Sequence, residues 1–492
     1  MQALRYRLVA LALLAAVAST AGPAIANDRS GFVQAWLSVV SIPLAAEGYR
    51  LAWSGIAPGP GGSQVTVRDL RATDSTGSER LRIATMTLDA PRLGADGAVR
   101  AEALAVEAVE VSGPYGGTLE RMVVTRPDLP AIARTLAAYI RQSPAADAGS
   151  WTRDLTVERL EIRGLRGLMR GADGPLDLRL DRLLVVDAEP GRLRRLEIDG
   201  ARQMSREPDG DQVTTSIREI RAADIEIEPA VYAMAEDPER ARPLSALAGV
   251  RVGSFETKGF RSESALTGTT EVDRQWVRTR AYTAGRSGVL SFGNEGMRSR
   301  SDGTATSIDP LRRLLFPPDG EVPMHWSGEV AYDVVDGFVG YRQTMTIDRF
   351  GSFDLQVDVS GVPDLAVGEW REVTKGDPRL QAVLVTGVSM ALTDAGGIDR
   401  GVTLLADDKQ RRPAALRDAF AKEFGALAEA FNPKRDPRLA GWLQVVQDFI
   451  RVGGTLALGV TRPIPIGAVD DRPHLGDLTA LADRYGLVVA RR

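Results

Sequence analysis

The stretch PLDLRLDRLLVVDAEPG, Pro175 to Gly191, decides how this chain is read. Leu176, Leu178 and Leu180 alternate with Asp177, Arg179 and Asp181, so one side of the segment is apolar and the other is wet. Successive side chains of a strand point to opposite faces, so the alternation predicts a strand buried on one face. SFDLQVDVSG repeats the pattern further on, with Phe353, Leu355, Val357 and Val359 expected inward and Asp354, Gln356 and Asp358 outward.

A family of octapeptides carries the same texture. VRDLRATD begins at Val67, VEAVEVSG at Val106, VERLEIRG at Val157, LRRLEIDG at Leu193, IREIRAAD at Ile217 and VGSFETKG at Val252, with a looser VTGVSMAL at Val385. Their starts are unevenly spaced, which argues against a solenoid of fixed period. In VERLEIRG, Leu160 and Ile162 are two apart and share a face, but Val157 lies three before Leu160. Strict alternation would put Val157 on the far side, and a β-bulge between them would restore it while bending the strand. Repeated bulges curl a sheet into a gutter; the alternative is a strand buried on both faces. Leu160, Ile162, Leu196, Ile198 and Phe255 are therefore the candidate binding residues, buried or lining a groove, with Glu197 expected outward.

Helical spacing appears between and after the strands. Phe32, Trp36, Val39 and Val40 predict a first helix closed by Pro43, and GIAPGPGG (55–62) predicts a loop that lacks the lysine of a phosphate loop. Short helices are expected after Asp128 (Leu129, Ile132, Leu136, Tyr139, Ile140), after Pro229 and after Pro310, each placed to plug a sheet end or edge. From Arg412, Leu416, Phe420, Phe424, Leu427 and Phe431 trace one helical face, and Leu439, Trp442, Leu443, Val446, Phe449 and Ile450 another. Asn432-Pro433 and Asp436-Pro437 separate them, so a helical hairpin is expected, then an extended segment and a last helix bearing Leu478, Leu481 and Tyr485. The expected fold is mainly β with α: a curved, bulged antiparallel sheet (groove or sandwich), short interposed helices and the C-terminal hairpin. The expected divisions are 1–26, a signal peptide; 27–54, helix and linker; 55–405, the repeated-strand β domain; and 406–492, the C-terminal part.

Arg5 and Arg7 precede an apolar run, Leu8 to Val17, and Ala24-Ile25-Ala26 offers a small-x-small cleavage site. This is the layout of an export signal, and the run is shorter than the roughly 20 apolar residues that cross a bilayer. The expected location is the periplasm, with cleavage after Ala26 and no transmembrane segment in the mature chain. The absence of cysteine excludes disulfides, thiol catalysis and a lipid-modified N-terminal cysteine. The formal charge is −4, and the arginines are interspersed with acids, so no basic stripe suggests nucleic acid.

Motifs of catalysis are scarce. There is no Gly-x-Ser-x-Gly elbow, and the only histidines are His325, read as structural, and His474. His474 with Asp470, Asp471 and Asp477 matches no zinc or calcium spacing, and EPDGDQ (207–212) reads as a hairpin turn. No catalytic, cofactor or metal residue is assigned. A carbohydrate hydrolase stays open as the lesser reading, because paired carboxylates need only proximity in space.

An exported chain with recurring V-x-x-L-E-I-x-G strands, interposed helices and alternating strands such as SFDLQVDVSG resembles the AsmA-like envelope proteins and related periplasmic β-rich proteins of alphaproteobacteria, over about Val67 to Thr393. The resemblance implies a long curved sheet with a hydrophobic groove that carries or organises lipid. The cleavable signal and the C-terminal helices depart from it. Aromatics are only 6% of residues, so an apolar face made of Leu, Val, Ile and Ala suits acyl chains better than sugar rings. Two readings follow: a non-catalytic envelope protein binding a lipid or other apolar ligand, and an envelope scaffold that docks a protein partner through its charged sheet faces and C-terminal helices. Whether the apolar face is an open groove or is covered by a second layer stays open at this point.

Overall fold

The computed structural model describes residues 29–45, 48–59, 62–94, 99–113, 116–127, 129, 156–170, 175–206, 210–231, 237–265, 268–300, 323–373, 377–408, 412–430, 437–466 and 478–492. The expected signal peptide, most of the helix after Asp128, the helix after Pro310 and the His474 segment lie outside the described residues. The fold is mostly strand, arranged as antiparallel, curved and non-closed sheet with few short helices. The chain divides into two compact units, Met1–Asp224 and Ile225–Arg492, a boundary inside the span expected as one β domain.

The first unit begins with α1 (Arg29–Ala45), which continues through Pro43 and ends where Gly48, at φ 84°, turns the chain. Its strands are β1 (Arg50–Ala52), β2 (Gly55–Pro58), β3 (Gln64–Thr73), β4 (Glu79–Asp89), the small β5 (Arg92–Leu93) and β6 (Val99–Arg100), β7 (Ala103–Val111), β8 (Gly117–Thr125), β9 (Val157–Arg170), β10 (Pro175–Glu189), β11 (Arg192–Arg206) and β12 (Gln212–Ile227), the end of which, from Ile225, falls in the second unit. Gly55–Pro58, expected as loop, pairs with β3 as an edge strand, where proline is tolerated. From β3 the antiparallel order runs β4, β7, β8, β9, β10, β11. The opening stretch is β10, closed by Pro190 and by Gly191 at φ 79°, residue types that preset a tight turn.

The three-residue offset of the octapeptides has a structural cause. In β3, Val65 and Val67 are buried, and so are Leu70 and Ala72, with Asp69 between them at φ 51°. The left-handed residue resets the alternation, so both halves of the strand face one core. It is not a bulge in register, because every neighbouring strand skips a residue at the same level. The ladders omit Asp69 with Ala84 and Ala84 with Ala108; in the octapeptides of β9 and β11 they omit Glu158 and Arg194 opposite Asp187, which is at φ 47°; and at a further level they omit Gly164 with Asp181 and Asp181 with Gly200. Gly164 and Gly200 lie at φ 64° and 65°, and a Cβ at either would collide with the neighbouring carboxylate, Glu120 or Asp181. Glycine suits both conditions, the left-handed backbone and the close carboxylate, without strain. True register shifts occur elsewhere, at Ala72/Thr73, Arg280/Thr283, Asn294/Met297 and Asp358/Val359.

The second unit comprises α2 (Pro243–Ala248), β13 (Val250–Ser264), β14 (Gly268–Thr283), β15 (Ser287–Arg300), β16 (Met324–Asp333), β17 (Phe338–Ile347), β18 (Gly351–Ser360), α3 (Val367–Glu372), β19 (Leu384–Asp394), α4 (Gly397–Asp408), α5 (Pro413–Ala430), α6 (Pro437–Val452), β20 (Gly454–Val460), β21 (Ile464–Pro465), α7 (Leu478–Tyr485) and β22 (Leu487–Arg491). β13 to β20 pair in chain order, β22 follows β20, and β21 extends the β20 side of β19. α2 is fastened by two phenols: Tyr332 donates to the Leu247 carbonyl at 3.0 Å and Tyr282 to that of Ala248 at 2.9 Å, satisfying helix-end carbonyls. Burial pushes the Tyr332 phenol up to about 12.

The expected C-terminal hairpin is α5 and α6. A Cβ at Gly425 would lie 2.7 Å from Gln447 Nε2, so glycine permits their close approach. α4 was not foreseen; it packs on α5 through Val402, Ala406 and Leu416. Arg417 joins all three helices, donating to the Ile450 carbonyl at 2.7 Å and pairing with Asp399. α6 rests on β20 and β22, and α7 on β22.

Candidate apolar ligand face

The pairing registers build two apolar rows across the first unit. One runs Val65, Leu88, Leu104, Val124 and then Leu160, Val185, Leu196. The other runs Val67, Met86, Val106, Met122 and then Ile162, Leu183, Ile198. Cross-strand neighbours of this kind are the unit of sheet packing. At the β3 end the rows are closed off: Val33, Trp36, Leu37, Val40 and Leu44 of α1 form one core with them. Burial then falls away. Val65 and Val67 are at 0% exposure, whereas Leu160, Ile162, Leu183, Val185, Leu196 and Ile198 all keep part of their surface accessible.

Leu160, Ile162, Leu196 and Ile198 are thus brought together on β9 and β11, with β10 between them. Phe255 is not with them. It lies on β13 in the second unit, opposite Val277, and is partly buried.

The opposite face of β9–β11 corrects one expectation. Glu197, expected outward and wet, is 4% exposed, while its neighbours Leu196 and Ile198 are more accessible. Arg182 donates to Glu197 at 3.2 Å, and Arg195 and Arg221 also pair with it. Across β10, Glu161 takes Arg159 at 2.9 Å, Arg163 at 2.6 Å and Arg182 at 3.4 Å, and the first two hold its carboxyl down to about 2. Leu184 stands between the two glutamates and is 3% exposed. The sequence signal was the clustering of arginines two residues from each acid, but alternation alone treats every charge as solvated.

His325 is exposed, and its Nδ1 accepts the Gly296 N–H at 3.1 Å beside the β15/β16 register shift, a structural contact. Among the described residues no group of His, Asp or Glu is placed to hold a metal ion. Among them, too, no helix is long and apolar enough to cross a membrane.

A family model described as "Uncharacterized protein" matches residues 344–490, a stretch that runs from within β17 almost to the end of β22. Comparison with curated proteins finds no match.

Proposed function

We propose that this is a non-catalytic envelope protein, exported to the periplasm, that holds the acyl chains of a lipid against the accessible part of the apolar face on β9–β11. The observation that supports it is the burial gradient along two in-register aliphatic rows, covered by α1 at one end and accessible at the other. Each methylene moved from water onto such a face contributes about 0.8 kcal/mol, so a flexible chain gains affinity along the length of the rows. AsmA-like proteins, which the sequence resembles, are the kind of envelope protein this reading describes.

The test is titration of the purified protein with cis-parinaric acid, a fluorescent fatty acid, alongside native mass spectrometry of protein taken from its own periplasm. Saturable binding, weakened about tenfold by Leu160→Asn with unchanged circular dichroism, is expected. Absence of saturable binding, or indifference to Leu160→Asn, overturns the reading. The docking alternative draws on Leu427 at 46% and Val452 at 69% exposure on α5 and α6, and predicts a co-purifying protein in place of a lipid.

A further inference from the structure

The second unit also has an apolar face, but its chemistry differs. Register places Gln275, Asn294, Trp326, Met345 and Phe353 in one row across β14–β18. The adjacent row is Val277, Phe292, Gly328, Gln343 and Leu355. Residues two apart share a face, so the rows form one surface. The Phe292 and Trp326 rings meet edge to face with centroids 5.5 Å apart. A Cβ at Gly328 would lie 2.7 Å from Phe292 Cε2, so the glycine lets the phenyl ring sit close against the strand beside the indole. Phe292, Trp326, Met345 and Phe353 all keep part of their surface accessible.

Polar groups are set into this surface. The Tyr341 hydroxyl donates to Gln343 Oε1 at 2.6 Å, which orients that amide with its NH2 pointing away from the hydroxyl. The first unit's rows hold only aliphatic and thioether side chains at the corresponding open end.

We propose that the β14–β18 face is a second ligand site, for a flat fused-ring lipid that carries a hydroxyl group. Rigid rings pack against the Phe292 and Trp326 side chains with little conformational entropy to lose, whereas an acyl chain must be ordered bond by bond. The Gln343 amide supplies the hydrogen bond that the ring hydroxyl would otherwise lose on leaving water. The inference rests on the same reading that accessible apolar strand faces take ligands, but concerns other residues and another ligand class.

The test uses the full chain and dehydroergosterol, a fluorescent sterol excited by energy transfer from tryptophan. Saturable transfer is expected, falling at least threefold in Trp326→Phe although six other tryptophans remain of the seven. Gln343→Leu should weaken binding about tenfold, while leaving unchanged the affinity for the same ring system lacking its hydroxyl, measured by competition. A merely structural glutamine would weaken both equally, and that result overturns the assignment. So do transfer unaffected by Trp326→Phe, and full displacement of the sterol by cis-parinaric acid at its own binding concentration, which would make this a general acyl face. Loss of cis-parinaric binding alone, through Leu160→Asn, would bear on the first unit and leave this site untouched.

Discussion

At the residue scale, the structure reverses the ranking that alternation assigns to neighbouring positions of β11. Ile198→Asp places a carboxylate on the apolar face and should cost about 2 to 4 kcal/mol. Alternation would make Glu197→Ala harmless, yet that side chain is buried against Arg182, Arg195 and Arg221. Removing it takes the most buried carboxylate out of the network while Arg182 and Arg221 keep their pairs with Glu161, Asp199 and Glu219, and about 1 kcal/mol should be lost. Both variants should therefore lower the urea midpoint clearly, and a wild-type midpoint for Glu197→Ala would show that the ion pairs contribute nothing. Gly200 is a second such position. Alanine there meets both the left-handed backbone and the Asp181 carboxylate, so Gly200→Ala should cost about 1 to 3 kcal/mol. Adding Asp181→Ala removes the two closest atoms but keeps a Cβ 2.9 Å away, so it should recover the larger share of the steric part and leave the backbone part, which a double-mutant cycle in urea would read.

At the element scale, the charged face of β9–β11 is organised around a carboxylate held ionised. Glu161 is shifted from the ordinary glutamate value of 4.5 to about 2, first by its hydrogen bonds from Arg159 and Arg163. A depressed folded pKa means stability that is present above about 4.5 and is lost as pH falls through about 2. Glu161→Gln should thus flatten part of the acid limb between pH 5 and 2, and cost about 1 to 2 kcal/mol at neutral pH once solvent screening is allowed for. Urea unfolding across that range reads it; an acid limb of unchanged steepness would contradict the assignment. Asp74, between β3 and β4, is also held at about 2, chiefly by the Thr76 hydroxyl, so the limb should not vanish. Strand identity was legible here because Leu176 to Leu180 alternate over enough residues to exclude a helix. The kink levels were half legible: the offset from Val157 to Leu160 announced an irregularity, but not that both strands of each pair share it. α4 and the β2 pairing were not legible, since a twelve-residue helix and a four-residue edge strand are decided by neighbours that lie far off in sequence.

At the scale of the whole molecule, what distinguishes capping from docking by the C-terminal helices is where the strands go. Sequence spacing showed α5 and α6 as an apolar hairpin but could not show that β20 returns to pair with β19 and β22 with β20, because their partners are distant along the chain. α6 packs on both returning strands, and Arg417 ties α4, α5 and α6 together. The matched stretch 344–490 is continuous through these elements, so ending the chain after Arg411 would cut inside it. Such a truncation removes β20 and β22 together with the helices and leaves β19 as an open edge, with Leu392 already 42% exposed. Unpaired edges with exposed apolar side chains recruit other strands. The truncated protein should therefore aggregate on size-exclusion chromatography or unfold over a broadened urea transition. Because that outcome mixes lost strands with lost helices, Gly425→Leu provides the finer arm: it wedges α5 from α6 while every strand remains. If the helices cap the sheet, this variant should lose about 2 kcal/mol or more of stability, as overpacking a tight contact does. If they serve only to dock a partner, its midpoint should match wild type, and a truncated protein that stays monomeric with a sharp transition would point the same way.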